Sequence, residues 1–481
     1  MQGAAARSLA AYNRGMDAPS CLGCRQRDVT IADLQQRLLA AQARVRELQA
    51  QLGRNTTNSS VPPSANPLGA PRPAPKKPTG RKSGAQPGHP AHLRRRLPPE
   101  RLQRTQDFVP SHCQHCHKPL PSTPASGDPE PTWHQVAELP KLAASVTEYR
   151  GHFRTCPGCG TLNHAAIPAD LKAHSVGPRL AATLAYLTGR HHLSQRGLEE
   201  LAEDVFDVPL SLGTVGQLAQ QTSAALAPAH AEALQAVRDA AVKNVDETGW
   251  KLTGAACWLW AAATTTVVAF VIHARRSAAG LTALLGAVIQ GILCSDRWSV
   301  YPRVSVERWQ ICWAHLKRDF QAMVDRNNAG SAIGAELLVL TGRLFEWWHR
   351  VRDGTLSRGT FRCYVASLRQ DVLAVLEQGR GCGCAKTAGT CRELLAVAPA
   401  LWTFVRVEGV EPTNNHIERQ LRLAVLWRKN SFGSHSAAGC RFVERLLTVV
   451  QTRRLQGRPV LDYLYEALVA HRAGLPAPKL L

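Results

Sequence analysis

The chain has 481 residues, with 58 Lys and Arg against 36 Asp and Glu, and a formal net charge of +22. This length predicts about three domains, and the positive charge favours a polyanionic partner, with nucleic acid as the first candidate. The N-terminus lacks the basic, apolar and small-residue pattern of a secretory signal, so we expect a cytoplasmic protein. Fourteen cysteines in such a chain argue against a disulfide framework and favour metal binding or core packing.

The N-terminal segment, residues 1–54, contains a short heptad pattern. Apolar residues repeat at two heptad positions, Ile31, Leu38, Val45 and Leu52 at one and Leu34, Ala41 and Leu48 at the other. Thr30 and Asp33 have capping-box spacing at the start of this pattern, and Gly53 follows its end. The pattern predicts a coiled coil through which the protein forms a homo-oligomer, or else an amphipathic helix packed on its own chain.

Residues 55–106 are rich in Asn, Ser, Pro and Gly and cannot bury a core. Between Arg72 and Arg104 the sequence has ten Lys or Arg residues and a single acid, Glu100. Such a segment predicts a basic arm that neutralises phosphates, because those contacts need charge but no fixed geometry. A solvated linker is the alternative interpretation, and the two are compatible.

Two Cys-x-x-Cys pairs mark the next segment, residues 107–172. Each pair forms a tight turn that aims two sulfur atoms at one point, so Cys113, Cys116, Cys156 and Cys159 suit tetrahedral zinc. We therefore predict a small zinc-ribbon-like module that depends on Zn²⁺ for its fold and helps to position DNA. The segment also contains His112, His115 and His117, which could substitute as ligands, although histidines beside such a pair are usually bystanders.

A helical pattern occupies residues 173–235. Leu198, Leu201 and Val205 share one face, Asp207–Pro209 breaks the helix, and Ser211 is a candidate cap for the next helix. A helix, a short turn and a second helix are typical of a DNA-reading unit. Helix pairs are also common as purely structural elements, so the pattern leaves both interpretations open.

Three strand-like runs follow, and two of them lead into an aspartate. A short run reaches Asp246, and an apolar run over residues 289–294, after a helical stretch, precedes Asp296. The uncharged run over residues 255–272 is long enough to cross a membrane, but its threonines and alternating tryptophans favour two buried strands joined by a turn. We therefore expect no membrane span and an α/β core whose neighbouring strands bring the two carboxylates together.

A third carboxylate, Glu418, lies far downstream in a segment with helical character. Carboxylates held close together need cations between them, and Mg²⁺ or Mn²⁺ prefers such oxygen ligands. Two ions about 4 Å apart would activate the attacking oxygen and stabilise the leaving one in a phosphoryl displacement. Basic residues beside Glu418 suit a substrate that carries phosphates. They are Arg419, Arg422, Arg428 and Lys429, with Arg441, Arg445, Arg453 and Arg454 predicted to follow on the same helical stretch.

Short motifs mark nearly the whole length of the chain. Besides the heptads and the cysteine pairs, they are Asn58-Ser-Ser, Gly84-Ala-Gln-Pro-Gly-His89, Asp246-Glu-Thr-Gly-Trp250, Ser295-Asp296, Cys312-Trp-Ala-His-Leu-Lys-Arg318, and Asn414-Asn415 through Glu418-Arg419 to Arg428-Lys-Asn430. Together these motifs resemble the insertion-sequence-66 family of transposases. The resemblance implies an RNase H-like core with a DDE triad on Asp246, Asp296 and Glu418. It also implies the terminal inverted repeats of a mobile element as substrate, and accessory proteins from the same element.

These observations predict a multidomain α/β protein with an RNase H-like catalytic domain at residues 236–455. The long stretch between Asp296 and Glu418 predicts a mostly helical insertion at about residues 321–410, and residues 456–481 are predicted to form a C-terminal tail. Cys312 and His315, at the entrance of the insertion, have Cys-x-x-His spacing, for which we favour packing or DNA positioning over metal ligation. Nothing in the sequence assigns a role to Cys21, Cys24, Cys382, Cys384 or Cys391.

The predicted function is that of a nucleoid-associated DDE transposase that binds double-stranded DNA, both element ends and target, and catalyses metal-dependent cleavage and strand transfer. Two alternatives remain open at this point. The first is a metal-dependent endonuclease that cuts without joining. The second is a zinc-dependent DNA-binding regulator whose acidic residues have no catalytic role.

Overall fold

The computed structural model describes residues 22–52, 95–301 and 304–481. The chain divides into two compact units, which we name by their content. Of the described residues, the helical unit contains 22–52 and 310–413, and the sheet unit contains 95–301, 304–309 and 414–481. The basic arm is predicted over residues 55–106, and its residues 55–94 lie outside the described residues. The sequence-based domain boundaries remain predictions.

Helix α1 (Leu22–Leu52) carries the heptad pattern. All of its described side chains are exposed. Among them are apolar residues from both heptad positions, namely Ile31, Leu38 and Val45 at one and Leu34 and Leu48 at the other. The helix ends just before Gly53, as predicted, but it begins eight residues before Thr30, so the predicted capping box is wrong as a helix start. The reason is that Arg and Gln, which are good helix formers, continue the helix upstream of Thr30. The coiled coil itself remains a prediction.

The segment that contains the cysteine pairs has very little regular structure. It includes a two-stranded antiparallel sheet, β1 (Phe153–Thr155) and β2 (Leu162–His164), and a single helical turn, α2 (Ala169–Lys172). No side chain over residues 95–175 is buried. A hydrophobic core therefore does not stabilise this segment, and its fold requires another source of stability.

Four helices follow and are connected by short turns. They are α3 (Pro178–His191), α4 (Gln195–Phe206), α5 (Leu212–Ala225) and α6 (Ala227–Asp239). The predicted break after α4 is confirmed, since Asp207 there has a left-handed φ of 57°. The predicted cap is also confirmed, because the Ser211 hydroxyl accepts a hydrogen bond from the Thr214 backbone N–H at 3.2 Å.

A five-stranded mixed sheet forms the centre of the sheet unit, except that the last two residues of its final strand, Gln310 and Ile311, belong to the helical unit. Its elements are β3 (Val242–Leu252), β4 (Ala255–Ala263), β5 (Val268–His273), helix α7 (Ala278–Leu285), β6 (Ile292–Ser295) and β7 (Trp309–Ile311). The strand order is β5-β4-β3-β6-β7. Strands β3, β4 and β5 form an antiparallel meander, which confirms the predicted strand pair over residues 255–272. No helix among the described residues is long and apolar enough to cross a membrane.

After Ile311 the helical unit is built from helices. They are α8 (Trp313–Asp325), α9 (Ser331–Arg352), α10 (Arg358–Arg380), α11 (Ala385–Ala396) and the short α12 (Thr403–Arg406). Trp348 is buried between Phe361 and Phe404, with ring centroids 5.6 and 5.4 Å away. Cys312 is buried at the start of α8, and burial lowers the pKa of His315 to about 4, in keeping with a packing role for this pair.

Three helices complete the sheet unit: α13 (Asn415–Ser431), α14 (Ala437–Leu455) and α15 (Val460–Arg472). Helix α13 lies on one face of β3 and β4. Helix α7 covers the other face so closely that a Cβ atom at Gly280 would lie 2.4 Å from the Trp260 indole nitrogen. The sheet is therefore held between two helical layers.

The segment predicted as a C-terminal tail contains a packed helix, so that prediction is wrong. Helix α15 packs against α3 and α5. Its buried residues follow the helical spacing that indicates an amphipathic helix. They are Val460, Tyr463, Leu464, Ala467 and Leu468.

Side chains of helix α14 satisfy the free edge of strand β5. Glu444, Thr448 and Thr452, spaced four residues apart, accept hydrogen bonds from backbone N–H groups of β5 at 2.6, 3.1 and 3.1 Å. Residues four apart lie on the same face of a helix, and alternate N–H groups of a strand point to the same side, so the two repeats match. The helix thus closes one edge of the sheet.

Burial raises the pKa of Glu444 in this row to about 7, from an ordinary value of 4.5. The folded protein therefore retains a proton that the unfolded chain releases, and stability should fall as the pH rises from 4.5 to about 7. We expect Glu444→Gln, which keeps an oxygen acceptor for Ile272, to be more stable than wild type at pH 8 by roughly 2 kcal/mol. The difference should vanish below pH 4.5, the ordinary pKa of the carboxyl group.

Urea unfolding at several pH values measures this effect, with the exposed Glu466→Gln as the control for loss of a negative charge. A constant difference between Glu444→Gln and wild type across the pH range would contradict the prediction.

Candidate active site

Strand β3 carries its polar residues on two opposite faces. Asn244, Asp246 and Thr248 share one face, because side chains alternate along a strand, and Glu247 lies on the other. Asp246 stands near the middle of β3 rather than at its end, so the predicted end position is wrong. The strand is longer than predicted because it continues through Leu252 in an antiparallel pair with β4.

Helix α13 runs along the Asp246 face of β3 in the same direction as the strand. At its N-terminus the Asn414 amide donates to the Val245 carbonyl at 2.7 Å and accepts from Asn244 at 2.8 Å. Near its C-terminus Arg428 donates to the Thr248 hydroxyl at 3.2 Å and to the Gly249 carbonyl. These contacts fix the helix at both ends.

Glu418 lies in the first turn of α13, one turn after Asn414. Asn414 is 1% exposed and is the residue through which the start of the helix is joined to β3. Its contacts therefore set the position of Glu418 along the Asp246 face. The sequence contains Asn414 in a recognisable motif, but its partners could not be predicted from the sequence.

Asp296 follows strand β6, which pairs in parallel with β3. The last paired residues are Asn244 and Cys294, so Asp296 and Asp246 each stand two residues beyond the same pair. Partners in a parallel ladder project to the same side of the sheet. The loop is fixed by hydrogen bonds from the Trp298 N–H to the Asp296 carboxylate at 3.0 Å and from the Ser295 hydroxyl to the Asp296 carbonyl at 2.8 Å.

The carboxylates of Glu247, Asp296 and Glu418 all act on the ionisation of Asp246. Burial and the charge of Glu247, and then the charges of Asp296 and Glu418, raise the pKa of Asp246 well above its ordinary value. A hydrogen bond from the Glu247 N–H at 2.9 Å opposes this shift. Repulsion of this kind is what a bound cation would relieve. The donor set, three carboxylates, suits Mg²⁺ or Mn²⁺.

The described residues nevertheless contain no group of three or more His, Cys, Asp or Glu side chains arranged as a metal site. This statement covers both the three carboxylates and the four cysteines of the predicted zinc site. The structure therefore places Asp296 and Glu418 each within electrostatic range of Asp246, and it does not join the three side chains at one point.

A second network on the opposite face of β3 was missed in the sequence. The Glu247 carboxylate accepts from Tyr301 at 2.7 Å and from Arg276 at 2.8 Å. The Arg276 guanidinium lies 4.1 Å from the ring centre of Trp298, the residue whose N–H binds Asp296. The network therefore links β3 to the Asp296 loop. Burial raises the pKa of Glu247 and that of Tyr301. Alternation along β3 could have placed Glu247 on this face, but no local signal indicates Tyr301 or Arg276.

The basic residues predicted beside Glu418 differ in their surroundings. Arg419, Arg422 and Lys429 are exposed on α13, whereas Arg428 is partly buried and bonded to β3. The later arginines do not share this helix, because α13 ends before Phe432 and a second helix begins at Ala437. Arg445 and Arg453 donate to backbone carbonyl groups of Ser223 and Pro459, so these two side chains have structural contacts.

The two Cys-x-x-Cys pairs adopt the same backbone turn. In the first turn, the Cys113 N–H donates to the Lys118 carbonyl at 2.9 Å, and the His117 N–H donates to the Cys113 carbonyl at 3.0 Å. In the second, the Cys156 N–H donates to the Thr161 carbonyl and the Gly160 N–H to the Cys156 carbonyl, at 2.8 and 2.9 Å. His117 and Gly160 hold the same left-handed position, with φ of 57° and 73°.

Hydrogen bonds at each turn favour the thiolate form of one cysteine. Backbone N–H groups of Cys116 and His115 lower the pKa of Cys113, and the hydroxyl and N–H of Thr161 lower that of Cys159. Thiolate is the form that binds metal. Each turn is therefore suited to supply two sulfur ligands, although the four sulfur atoms do not form one group.

Three cysteines of the helical unit have contrasting surroundings. Cys384 is the N-cap residue directly before helix α11. Hydrogen bonds from the hydroxyl and N–H of Thr387 lower the pKa of Cys384 to about 7. Cys391 is buried, which raises its pKa to about 11. Cys382 stands two residues before Cys384, and its thiol donates to the Cys384 carbonyl at 3.7 Å. These contacts do not assign the three cysteines a function.

The exposed arginines beside Glu418 suit a substrate that carries phosphates, such as nucleic acid. The family model described as "Transposase IS66 family" matches residues 174–441, which is more than half of the chain. The protein therefore belongs to the IS66 family of transposases, which confirms the resemblance seen in the sequence. A family of unknown function, DUF6444, matches residues 19–95.

One relative is the uncharacterized protein y4qI of Sinorhizobium fredii, which is 29% identical over 252 residues. The match covers 46% of this chain and 45% of that protein. The two proteins are therefore similar over less than half of their lengths.

Proposed function

We propose that this protein is a DDE transposase that binds the terminal inverted repeats of its mobile element, cleaves the DNA strands there and joins them to target DNA. Asp246, Asp296 and Glu418 are the catalytic residues and the ligands of Mg²⁺ or Mn²⁺. Membership of a transposase family supports the general reaction. The assignment of the three residues is supported by their positions around β3.

The parallel register of β3 and β6 is the observation that carries this assignment. It gives Asp246 and Asp296 the same offset from the last paired residues, and Asn414 holds the helix of Glu418 on the same face of β3. Strand β6 ends at Ser295, so β3 extends past it at Asp246.

Each side chain has a distinct task in the proposed reaction. The Asp246 and Asp296 carboxylates are oriented by N–H groups of Glu247 and Trp298, and Glu418 is brought to them by α13. When bound, divalent ions supply activation of the attacking oxygen and stabilisation of the leaving oxygen. The exposed Arg419, Arg422 and Lys429 then bind phosphates on either side of the cleaved bond.

Zinc and self-association complete the proposal. Cys113, Cys116, Cys156 and Cys159 hold one structural Zn²⁺ when their two turns come together, and the coreless segment around them then gains a fixed fold that helps to bind DNA. The exposed apolar residues of α1 pair with those of a second copy as a coiled coil. Accessory proteins of the same element assist the reaction.

A cleavage assay on duplexes carrying the terminal repeats tests the catalytic assignment. With Mg²⁺, wild type should nick the repeat ends, and Glu418→Gln should reduce the rate at least about a hundredfold while DNA affinity is retained. Asp246→Asn should be equally inactive. It should also unfold at a higher temperature without metal, because the neutral amide avoids both the burial of a charge and the repulsion by neighbouring carboxylates that together raise the pKa of Asp246.

The outcomes separate this function from its alternatives. Cleavage without joining to a target duplex would indicate an endonuclease. A regulator would be indicated if wild type, Glu418→Gln and Asp246→Asn all bound DNA and none of them cleaved it at any Mg²⁺ or Mn²⁺ concentration tested. Wild-type rates in both variants would show that other residues catalyse the reaction.

A further inference from the structure

The turn between α13 and α14 exposes a large aromatic side chain. Phe432 is 78% exposed, and from Val176 onwards no other aromatic side chain in the described part of the chain is as exposed. Its φ of 58° lies in the left-handed region. That region disfavours a residue with a bulky side chain. Phe432 therefore combines a strained backbone conformation with an apolar side chain exposed to solvent.

The backbone on both sides of Phe432 is firmly held. The Phe432 N–H donates to the Arg428 carbonyl at 2.8 Å. Ser434 then pairs with the end of β3, through bonds of 2.8 Å from its N–H to the Lys251 carbonyl and from the Thr253 N–H to its own carbonyl. The Trp250 indole donates to the Ser434 hydroxyl at 3.1 Å. The fold therefore presents Phe432 from a rigid support.

Basic residues predominate along the chain on both sides of Phe432. Residues 419–443 include five Arg or Lys and no Asp or Glu. Lys429 is exposed one turn before Phe432, and Gly433 lies so close to Lys251 that a Cβ atom there would be 2.3 Å from the Lys251 carbonyl oxygen. An exposed aromatic ring among basic residues is the combination that binds DNA bases while their phosphates are neutralised.

The helix sets the distance between Phe432 and the catalytic residues. Glu418 and Phe432 stand at opposite ends of α13, roughly 14 residues or about 20 Å apart. That length corresponds to about six nucleotides at 3.4 Å per nucleotide.

We propose that Phe432 stacks on a base of the bound DNA about six nucleotides from the cleaved phosphate. This inference rests on the proposed function, because Glu418 defines the point of cleavage. The stacked base and the phosphates bound by α13 together fix the register of the DNA in the active site. A duplex opens most easily where base stacking is weak, so the contact favours flexible steps at that position.

Terminal-repeat duplexes with 2-aminopurine at single positions, from three to ten nucleotides from the cleavage site, test this inference. The full chain and Phe432→Gly are compared for fluorescence on binding, DNA affinity and cleavage. Glycine accepts the left-handed backbone, so this variant should be at least as stable as wild type. Phe432→Trp restores an aromatic ring, and Leu426→Ala removes another exposed apolar side chain from α13 as the matched control.

We expect wild type to change the fluorescence at one or two positions about six nucleotides from the cleavage site. Phe432→Gly should lose this change and bind about tenfold more weakly, Phe432→Trp should retain both properties, and Leu426→Ala should match wild type. The inference would be overturned if Phe432→Gly kept the wild-type fluorescence signal and affinity. It would also be overturned if Phe432→Gly changed only its oligomeric state while the 2-aminopurine signal stayed that of wild type. If wild type fails to cleave, the proposed function fails, whereas fluorescence and affinity still report on Phe432.

Discussion

Cys156→Ser is expected to remove bound zinc and to leave residues 95–172 without a stable fold. No side chain in this segment is buried, so little apolar burial would remain to hold it. A structural zinc site contributes on the order of 10 kcal/mol to folding. The loss should therefore appear as rapid proteolysis of this segment and as weaker DNA binding. The sheet unit after Val176, which has its own core, should keep its unfolding temperature.

Metal analysis and limited proteolysis of the purified protein measure this effect. Cys363→Ser is the matched control, because Cys363 is an exposed cysteine that lies outside both turns. We expect about one zinc ion per chain in wild type and in this control, and none in Cys156→Ser. Equal metal content and equal resistance to protease in all three proteins would contradict a structural zinc.

Asn414→Ala should weaken both stability and catalysis. The substitution removes the contacts of α13 with the Val245 carbonyl and with Asn244, and it leaves a partly buried amide without its partner. Such a change costs about 1–3 kcal/mol. Because Asn414 joins the start of the Glu418 helix to β3, the carboxylate should also move. A shift of about 1 Å in an active site is enough to lower a rate by about a hundredfold.

The neighbouring Asn415 offers the control for this experiment. Asn415 is exposed and follows Asn414 directly, so Asn415→Ala should leave stability and cleavage close to wild type. Thermal unfolding and the cleavage assay are measured on all three proteins. The prediction fails if Asn414→Ala is as stable and as active as Asn415→Ala.

Local signals in the sequence predicted the elements that depend on neighbouring residues. The turn at Asp207, the Ser211 cap and the strand pair over residues 255–272 are confirmed, because capping, turn formation and strand alternation act over a few residues. Errors arose where longer-range packing decides. Strand β3 continues past Asp246 because β4 pairs with it. The apolar residues of α15 do follow a local helical spacing, but the helices that bury them are formed by residues far earlier in the chain.

In the candidate site, too, the residues could be predicted from the sequence but their long-range contacts could not. The acidic residues themselves were predicted, since each follows or precedes a recognisable run of residues. The contacts around them were not, because Asn414 reaches β3 across 169 positions of sequence, and Tyr301 reaches Glu247 across 54. No pattern in a single sequence specifies such pairs. Phe432 also carries no sequence signal, because its importance comes from its exposure and its backbone conformation.

The row of side chains that α14 presents to β5 has a consequence for assembly. A strand with free N–H groups at the edge of a sheet can add a strand from another molecule, which leads to uncontrolled aggregation. Glu444, Thr448 and Thr452 occupy those groups, so this border of the sheet is unavailable for strand addition between copies. Copies of the protein that meet on DNA must therefore associate through other surfaces.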